Sequence, residues 1–122
     1  MIKVILSANS CWYLYNYKSS LIKILLKKYE VHCLAPKDKY TKYLKKMGAK
    51  YHQLKLHNTS TNPFKEFLSI INLFCCIKKT KPNVLLNFTI KNNIYGTICA
   101  KYLDIPFANN TAGLGNSFVN SN

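Results

Sequence analysis

Arginine is absent from this 122-residue chain, and only four acidic residues accompany its eighteen lysines, which gives a net charge of +14. Arginine reads phosphates and base edges through two parallel hydrogen bonds, so its absence argues against sequence-specific recognition of nucleic acid. Nucleic acid is therefore not expected as a partner. The lysines leave two interpretations open: an attraction to anionic lipid, and a coding bias without functional content.

Glycine is also missing from the first part of the chain, where Gly48 is the first to appear. The segment after the first predicted strand therefore lacks the G-x-G-x-x-G turn of dinucleotide-binding proteins, which excludes a classical NAD or FAD site. Carboxylates are equally scarce: the four acids are Glu30, Asp38, Glu66 and Asp104. None is predicted to face the loops that follow the strands. A pair of carboxylates for general acid–base catalysis is not expected.

No two of the five cysteines have C-x-x-C spacing. Cysteines scattered through apolar segments indicate reduced, buried thiols, so neither a metal site nor another cofactor is expected. The longest nearly apolar run, residues 67–77, covers only about half of the roughly twenty residues that a membrane span requires. The first strand is too short to be the core of a secretory signal. The predicted location is the cytoplasm, at most peripheral on the inner face of the bacterial membrane.

Hydrophobic periodicity predicts five strands that alternate with four helices. The strands are predicted at 2–8, 30–35, 50–56, 84–88 and 107–109, and the helices at 21–29, 39–47, 63–77 and 94–103. Gly48 is predicted to end the second helix, Asn62 to cap the third, and Gly96 to allow close packing of the fourth. Residues 9–16 are predicted to form a loop. Strict alternation of strands and helices is typical of a doubly wound parallel α/β sheet, the Rossmann-like architecture. The whole chain, residues 1–122, is predicted to be one such domain.

Polar residues follow several of these strands. In a parallel sheet the loops after the strands open at one carboxyl edge, which is where such folds bind ligands. The polar candidates at this edge are Asn9, Ser10, Asn16, Thr89, Lys91, Asn92, Asn110 and Thr111. Gly113 and Gly115 would let the backbone approach a ligand closely. Neutral amides and hydroxyls are suited to sugar hydroxyl groups, and they cannot by themselves activate a leaving nucleotide.

Two of these segments carry a resemblance to a known family. T-I-K-N-N-I-Y-G at 89–96 and N-T-A-G-L-G at 110–115 resemble, in order and spacing, signatures of the amino-terminal half of family 4 glycosyltransferases of the GT-B fold. N-S-C-W-Y-L-Y-N at 9–16 resembles the subgroup that builds capsule, lipopolysaccharide or lipid-linked oligosaccharides. The chain departs from the pattern at Ala112. It also has Lys18 where the subgroup often has arginine. Lysine keeps the positive charge but lacks the forked pair of N–H donors with which arginine binds a phosphate. The resemblance runs from Lys3 to about Phe118.

The resemblance implies a division of labour between two Rossmann-like halves. This half would hold the acceptor, often a polyprenyl-diphosphate sugar, and Lys91 would offset diphosphate charge. A second half, not accounted for by these 122 residues, would hold the nucleotide-sugar donor. Such enzymes retain the configuration of the sugar and need no metal. The chain alone would be inactive, and no catalytic residue is assigned. A nucleotide-sugar epimerase of related architecture is a further alternative, as is a non-catalytic basic module that binds nucleic acid or an anionic membrane.

Two surfaces are candidates for membrane contact. Lys42, Lys45 and Lys46 share one face of the second predicted helix and form the candidate membrane-facing cluster, with a plain solvated face as the alternative. The helix that follows Pro63 has a wider apolar face than one sheet contact requires. The excess would be covered by the second half or by the membrane, unless the helix is simply packed in the core.

Overall fold

In the computed structural model, which describes residues 1–55 and 62–110, the chain forms a five-stranded parallel sheet. The strands are β1 (Lys3–Ser7), β2 (Glu30–Ala35), β3 (Lys50–Gln53), β4 (Val84–Phe88) and β5 (Phe107–Asn110), in the spatial order β3-β2-β1-β4-β5. The helices are α1 (Cys11–Leu26), α2 (Thr41–Met47), α3 (Pro63–Thr80) and α4 (Ile90–Leu103). The predicted doubly wound, Rossmann-like fold is confirmed. The predictions for residue 56, Thr111, Gly113 and Gly115 lie outside the described residues.

The sheet is covered by one helical layer on each face. On one face, α1 and α2 bury Leu14 and Leu44 against Leu6 of the central strand. On the other, α3 and α4 pack with Ile5 and Leu85 in a second core cluster. Successive residues of a strand point to opposite faces, so a central strand covered on both sides must be apolar at nearly every position. The run at 4–6 meets that requirement.

The largest error of the sequence prediction concerns α1. The helix begins at Cys11 rather than at residue 21, so the predicted loop at 9–16 is wrong beyond Ser10. Ser10 is the cap, because its hydroxyl accepts a hydrogen bond from the Tyr13 amide at 3.0 Å. Cys11 and Leu14 are fully buried on the inner side of this first part of the helix. Their packing outweighs the low helix propensity of the aromatic residues between them.

The other helix ends agree better with prediction. Asn62 caps α3 as predicted, since its side chain accepts a hydrogen bond from the Phe64 amide at 2.8 Å. Gly48 ends α2 in the left-handed conformation, at φ 110°, as its position predicted. The start of α4 at Ile90 lies four residues earlier than predicted, and α2 starts at Thr41 instead of 39. In the described part of the chain, no helix combines the length and apolarity needed to cross a membrane.

Close contact between α4 and β4 depends on Gly96. A Cβ at this position would overlap the side chain of Asn87, which is fully buried in β4. The Asn87 amide in turn donates to the Asn109 side chain of β5 at 2.9 Å. The prediction that Gly96 allows close packing of the fourth helix therefore fits the geometry. This contact fixes the height of α4 above the two strands.

Three polar side chains form a chain across β2 and β3. His32 bonds to Glu30 through Nε2 at 2.6 Å and to His52 Nε2 through Nδ1 at 2.8 Å. Burial, followed by the charge of His32, lowers the pKa of His52 below its ordinary 6.5. The hydrogen bond from His32 lowers the pKa of Glu30. In both cases the folded state disfavours proton uptake.

We expect acid to weaken the fold through His52. Its folded-state pKa lies below 6.5, so the unfolded chain binds this proton more readily, and the stabilisation is lost as the pH falls below about 6.5. Urea unfolding between about pH 7.5 and about pH 5.5 should show a falling free energy of unfolding, with a slope below the one-proton limit of about 1.4 kcal/mol per pH unit. His52→Gln should flatten this slope; an unchanged slope in that variant would contradict the assignment.

Gly96→Ala should lower the free energy of unfolding by about 1–3 kcal/mol, because the added methyl group overpacks the Asn87 site. A double-mutant cycle with Asn87→Ala isolates this contact, since that change removes the overlapping amide. Chemical denaturation should show the double variant to be more stable than the sum of the single effects predicts. Simple additivity would show that the overlap does not set the cost.

Candidate functional site

The carboxyl edge of β1, β4 and β5 brings the predicted binding segments together. β1 and β4 are neighbours, and so are β4 and β5, so the residues that follow these strands lie side by side. Asn9 and Ser10 follow β1, Thr89 follows β4, and Asn110 is the last residue of β5. All four are partly exposed, which leaves them accessible from solvent. The edge therefore combines amides and hydroxyls from three strands.

Asn92 is hydrogen-bonded to the ends of both β1 and β4, beneath the exposed rim of the edge. Its amide donates to the Ser7 hydroxyl at the end of β1, and its side-chain oxygen accepts from the Thr89 hydroxyl at 3.0 Å. Asn92 is fully buried, so in this arrangement it holds the edge in place and makes no contact with solvent. The structure thus gives this predicted binding residue a supporting position.

Thr89 occupies an unusual backbone conformation at the start of α4. Its φ of 75° and ψ of 154° lie in a region that is essentially restricted to glycine. A β-branched residue is strained there by about 1–3 kcal/mol. The bond to Asn92 and the bond from the Asn93 amide to the Thr89 carbonyl, at 2.9 Å, hold it in that conformation. In this conformation Thr89 is partly exposed at the rim of the edge.

A second group of amides supports the β5 side of the edge. The Asn93 amide donates to the Asn110 carbonyl at 2.9 Å, and the Asn109 amide donates to the Thr97 hydroxyl at 2.8 Å. The side-chain oxygens of Asn87 and Asn93 are buried and have no donor among the described residues. Because residues 84–88 were predicted only as an apolar strand, the buried hydrogen bond of Asn87 was not predicted. The only available signal was a single polar residue within an otherwise apolar strand.

The amino terminus of α1 is closed to an anionic ligand. The Asp38 carboxylate accepts from the Trp12 amide at 2.9 Å and from the Tyr40 amide at 2.8 Å, while Ser10 caps the Tyr13 amide. A helix amino terminus normally attracts phosphate through such free amides. Here a carboxylate occupies the position and would repel one. That no dinucleotide binds at this turn stays a prediction of the sequence.

Lys91 is paired across the α3–α4 contact. Its Nζ lies 2.9 Å from one carboxylate oxygen of Glu66, and the Tyr95 hydroxyl donates to the other. Glu66 lies in the first turn of α3, so the pair is close to the end of the helices that borders the carboxyl edge. Glu66 was not predicted to face the loops at this edge. Nothing in the local pattern indicates the pairing, because its two helices are brought together only by the sheet.

Asn16 and Lys18 lie within α1 and not in a loop. Asn16 is exposed, and its amide donates to the Trp12 carbonyl at 2.8 Å in the preceding turn. The Lys18 ammonium lies 5.0 Å from the centre of the Phe88 ring, at the end of β4. Lys18 thus remains near the carboxyl edge through a cation–π contact, while Asn16 points along its own helix.

The candidate membrane-facing lysines are exposed on α2. Lys42 lies over the Tyr43 ring at 5.4 Å, and Lys45 over the Tyr51 ring at 5.7 Å. Both border a shallow depression of about 240 Å³, and Lys46 is exposed beside them. Among the described residues, none of the three has a carboxylate within ion-pair distance. The face is basic and contains no apolar anchor.

Reactive groups are scarce around the edge. Burial raises the pKa of the Cys11 thiol, and it raises that of Cys33 to about 12, so both are neutral thiols and poor nucleophiles. Within residues 1–55 and 62–110, no group of three or more histidine, cysteine or acidic side chains is placed to hold a metal ion. The described edge can bind a polyol through hydrogen bonds. It does not present an acid–base pair for chemistry.

The sequence of this chain matches a known protein family over nearly its whole length. Residues 3–120 match the family described as glycosyl transferase 4-like. A curated relative is the N,N'-diacetylbacillosaminyl-diphospho-undecaprenol alpha-1,3-N-acetylgalactosaminyltransferase of Campylobacter jejuni, which is 28% identical over 95 residues. The match covers 77% of this chain and 25% of that enzyme. The chain therefore spans about a quarter of the length of this relative.

Solved structures share the fold at low identity. MurG of Acinetobacter baumannii superimposes with a TM-score of 0.67 at 17% identity, over 88% of this chain and 34% of the other. A glycosyltransferase from Rickettsia africae gives a TM-score of 0.69 at 14% identity, over 96% and 32%. A UDP-N-acetylglucosamine 2-epimerase from Rickettsia bellii gives a TM-score of 0.63 at 17% identity, over 89% of this chain and 30% of the other.

Transferases and epimerases thus share this architecture, and the superpositions show the fold without choosing between the two reactions. The sequence match is more specific, since it extends over nearly the whole chain. Together with the parallel sheet of the GT-B glycosyltransferases, it shows that this chain belongs to the glycosyl transferase 4-like family.

Proposed function

We propose that this chain is the acceptor-binding part of a retaining glycosyltransferase. The enzyme would move a sugar from a nucleotide-sugar to a polysaccharide or to a polyprenyl-diphosphate-linked acceptor, in the assembly of capsule, lipopolysaccharide or a related glycan. The observation that carries the proposal is the neutral hydrogen-bonding edge built by Asn9, Ser10, Thr89 and Asn110 within this family's fold. The name of the Campylobacter relative, which specifies a diphospho-undecaprenol-linked sugar, supports the acceptor class.

The chemistry of the edge favours an acceptor over a donor. A nucleotide in such a fold normally places its phosphates at the amino terminus of the first helix, where the Trp12 and Tyr13 amides are already used by Asp38 and Ser10. The diphosphate of a lipid-linked acceptor would instead lie on the side of Lys91. Sugar hydroxyls, by contrast, are both donors and acceptors and match amides and hydroxyls at the rim. Such groups orient an acceptor hydroxyl towards the reacting carbon, which is the positioning component of catalysis.

The transfer itself needs groups that the described residues do not bring together. Retention would follow from attack on the face of the donor that its own leaving phosphate shields, with the donor held by a second Rossmann-like half. The 122-residue chain would then bind acceptor without turnover. Lys91, held by Glu66 near the edge, would offer part of its charge to an acceptor diphosphate. The enzyme would work in the cytoplasm, on the inner face of the membrane.

Asn110→Asp tests the location of the acceptor. The change adds a negative charge at the end of β5 while keeping the size of the side chain, so it should weaken binding of a short-chain polyprenyl-diphosphate sugar about fivefold or more. Isothermal titration calorimetry measures the effect. Asn83→Asp is the matched control: Asn83 precedes β4, at the amino edge, and its oxygen accepts from the Lys3 amide, a role that aspartate can keep. The Asn83→Asp variant should bind the polyprenyl-diphosphate sugar with the affinity of the wild type.

Three results would overturn the proposal. One is the absence of acceptor binding by the wild-type chain. Another is tighter binding of a nucleotide-sugar than of the acceptor in the same titration. The third is sugar transfer by this chain alone, followed with a radiolabelled donor, because that would place the donor site and the catalytic groups within these residues.

A further inference from the structure

The outer faces of α3 and α4 are apolar, although they point away from both core clusters. On α3, Phe64 is 66% exposed and Phe67 58%, and on α4, Ile94 is 55% and Ile98 52% exposed. The full set, called here the α3–α4 outer face, consists of Phe64, Phe67, Leu68, Ile71, Ile90, Ile94, Ile98 and Tyr102. Contiguous apolar surface of this kind marks an interaction site in a water-soluble domain.

The two helices present these residues as one surface. α3 and α4 are in direct contact, with the Glu66 carboxylate bonded to Lys91 and Tyr95 near their beginnings and the Phe74 and Tyr102 rings 5.5 Å apart near their ends. Ile90, Ile94 and Ile98 recur every four residues, so they line one side of α4. Phe64, Phe67 and Ile71 follow the corresponding spacing on α3. The stripes therefore run side by side.

Apolar residues occupy both sides of α3: Leu73 and Ile77 are fully buried in the core, whereas Phe64 and Phe67 are exposed. Ser69 is 1% exposed, and Glu66 is bonded to α4, so these two members of its polar stripe face the protein. The aromatic side chains of Phe64 and Phe67 face outward. A helix on a sheet normally turns its polar side to water. Core packing therefore buries only part of the wide apolar face that the sequence predicted for this helix.

The opposite layer has a different chemistry. α2 belongs to the layer on the other face of the sheet, and its exposed side chains include Lys42, Lys45 and Lys46. A flat surface that lies against the outside of one layer cannot lie against the outside of the other. The lysine face of α2 and the α3–α4 outer face are thus competing membrane surfaces. In the layer of α1 and α2, the exposed large apolar side chains are Trp12, Tyr17 and Ile24, all on α1, whereas the α3–α4 outer face has eight. The second surface is therefore the better suited to the interfacial region of a bilayer.

Charge favours an anionic bilayer as the occupant of the apolar surface. Lys65, Lys78 and Lys101 are exposed on α3 and α4 and flank the apolar stripes. The carboxylate of Glu66, which would repel anionic lipid, is already bonded to Lys91 and Tyr95. An apolar strip bordered by lysines is the pattern by which helices lie in the plane of an anionic membrane surface.

We propose that the α3–α4 outer face is the surface by which this domain rests on an anionic membrane, with Phe64, Phe67, Ile94 and Ile98 as the anchors. The inference rests on the proposed function in one respect: a lipid-linked acceptor would bring the domain to a bilayer. In this orientation the sheet stands beside the membrane with α3 and α4 between them. The α2 lysines lie on the far layer and contribute only long-range attraction.

Fluorescence tests the orientation directly, because Trp12 is the single tryptophan of the chain and lies on α1, in the far layer. Vesicles of phosphatidylcholine and phosphatidylglycerol in equal amounts should leave the Trp12 emission unchanged. In a Trp12→Phe/Phe67→Trp variant, the same vesicles should shift the emission to the blue. A blue shift of Trp12 in the wild-type chain, with none from position 67, would overturn the proposal.

Vesicle co-sedimentation tests the energetics. The Phe67→Ser/Ile94→Ser variant should partition about tenfold or more weakly into the mixed vesicles, since two exposed anchors are lost. Ile24→Ser is the matched control: Ile24 is 62% exposed on α1, and its loss should leave partitioning unchanged. Because all these residues are exposed, circular dichroism melting should show folded variants. If Lys42→Gln/Lys45→Gln/Lys46→Gln abolishes binding while Phe67→Ser/Ile94→Ser does not, the α2 face is the membrane surface.

Two further outcomes would also refute the assignment. Failure of the wild-type chain to bind mixed vesicles at low salt is one. Conversion of a dimer to a monomer by Phe67→Ser/Ile94→Ser, with vesicle binding unchanged, would assign the face to a second copy of the chain. Neither result affects calorimetric binding of a short-chain acceptor in the absence of vesicles. Failure of this inference is therefore distinguishable from failure of the proposed function.

Discussion

The burial of the first turn of α4 against β1 and β4 is the constraint on which the candidate site depends. Asn92 reaches Ser7 at the end of β1 and binds Thr89, and Gly96 lets the helix settle on Asn87. Buried amides are costly unless they are hydrogen-bonded, so these contacts fix a single height and rotation of α4. The polar rim takes its shape from this arrangement.

Neutrality distinguishes this rim from the rest of a strongly basic molecule. The carboxylates nearest to it are already engaged: Asp38 closes the start of α1, and Glu66 holds Lys91. Apart from the Lys18 ammonium beside Phe88, the groups at the edge are amides and hydroxyls, which can bind a ligand but do not supply reactive chemistry. This chemistry supports the proposed acceptor surface, and the chain spans about a quarter of the length of its Campylobacter relative.

The sequence predicted the parts of the fold that local rules control. Residues 30–35 and 84–88 were predicted as strands with the observed limits, Asn62 was identified as a cap and Gly48 as a helix end. The start of α1 was missed because the run of aromatic residues has no clear helical signal of its own. In the site, Asn87 and Glu66 were missed because their partners are 22 and 25 residues away in the sequence.

By itself, the sequence determined the alternation of strands and helices, the absence of a glycine-rich nucleotide turn and the family signatures at 89–96. Each of these is a local pattern of residue type and spacing. Tertiary structure decided which polar residues meet at the carboxyl edge and which are buried beneath it. It also decided which apolar residues of α3 face the core and which face outward. The orientation of a helix is set by contacts between distant segments, such as Leu73 and Ile77 with the core and the part-buried pair of Glu66 and Lys91. No periodicity within one helix contains that information.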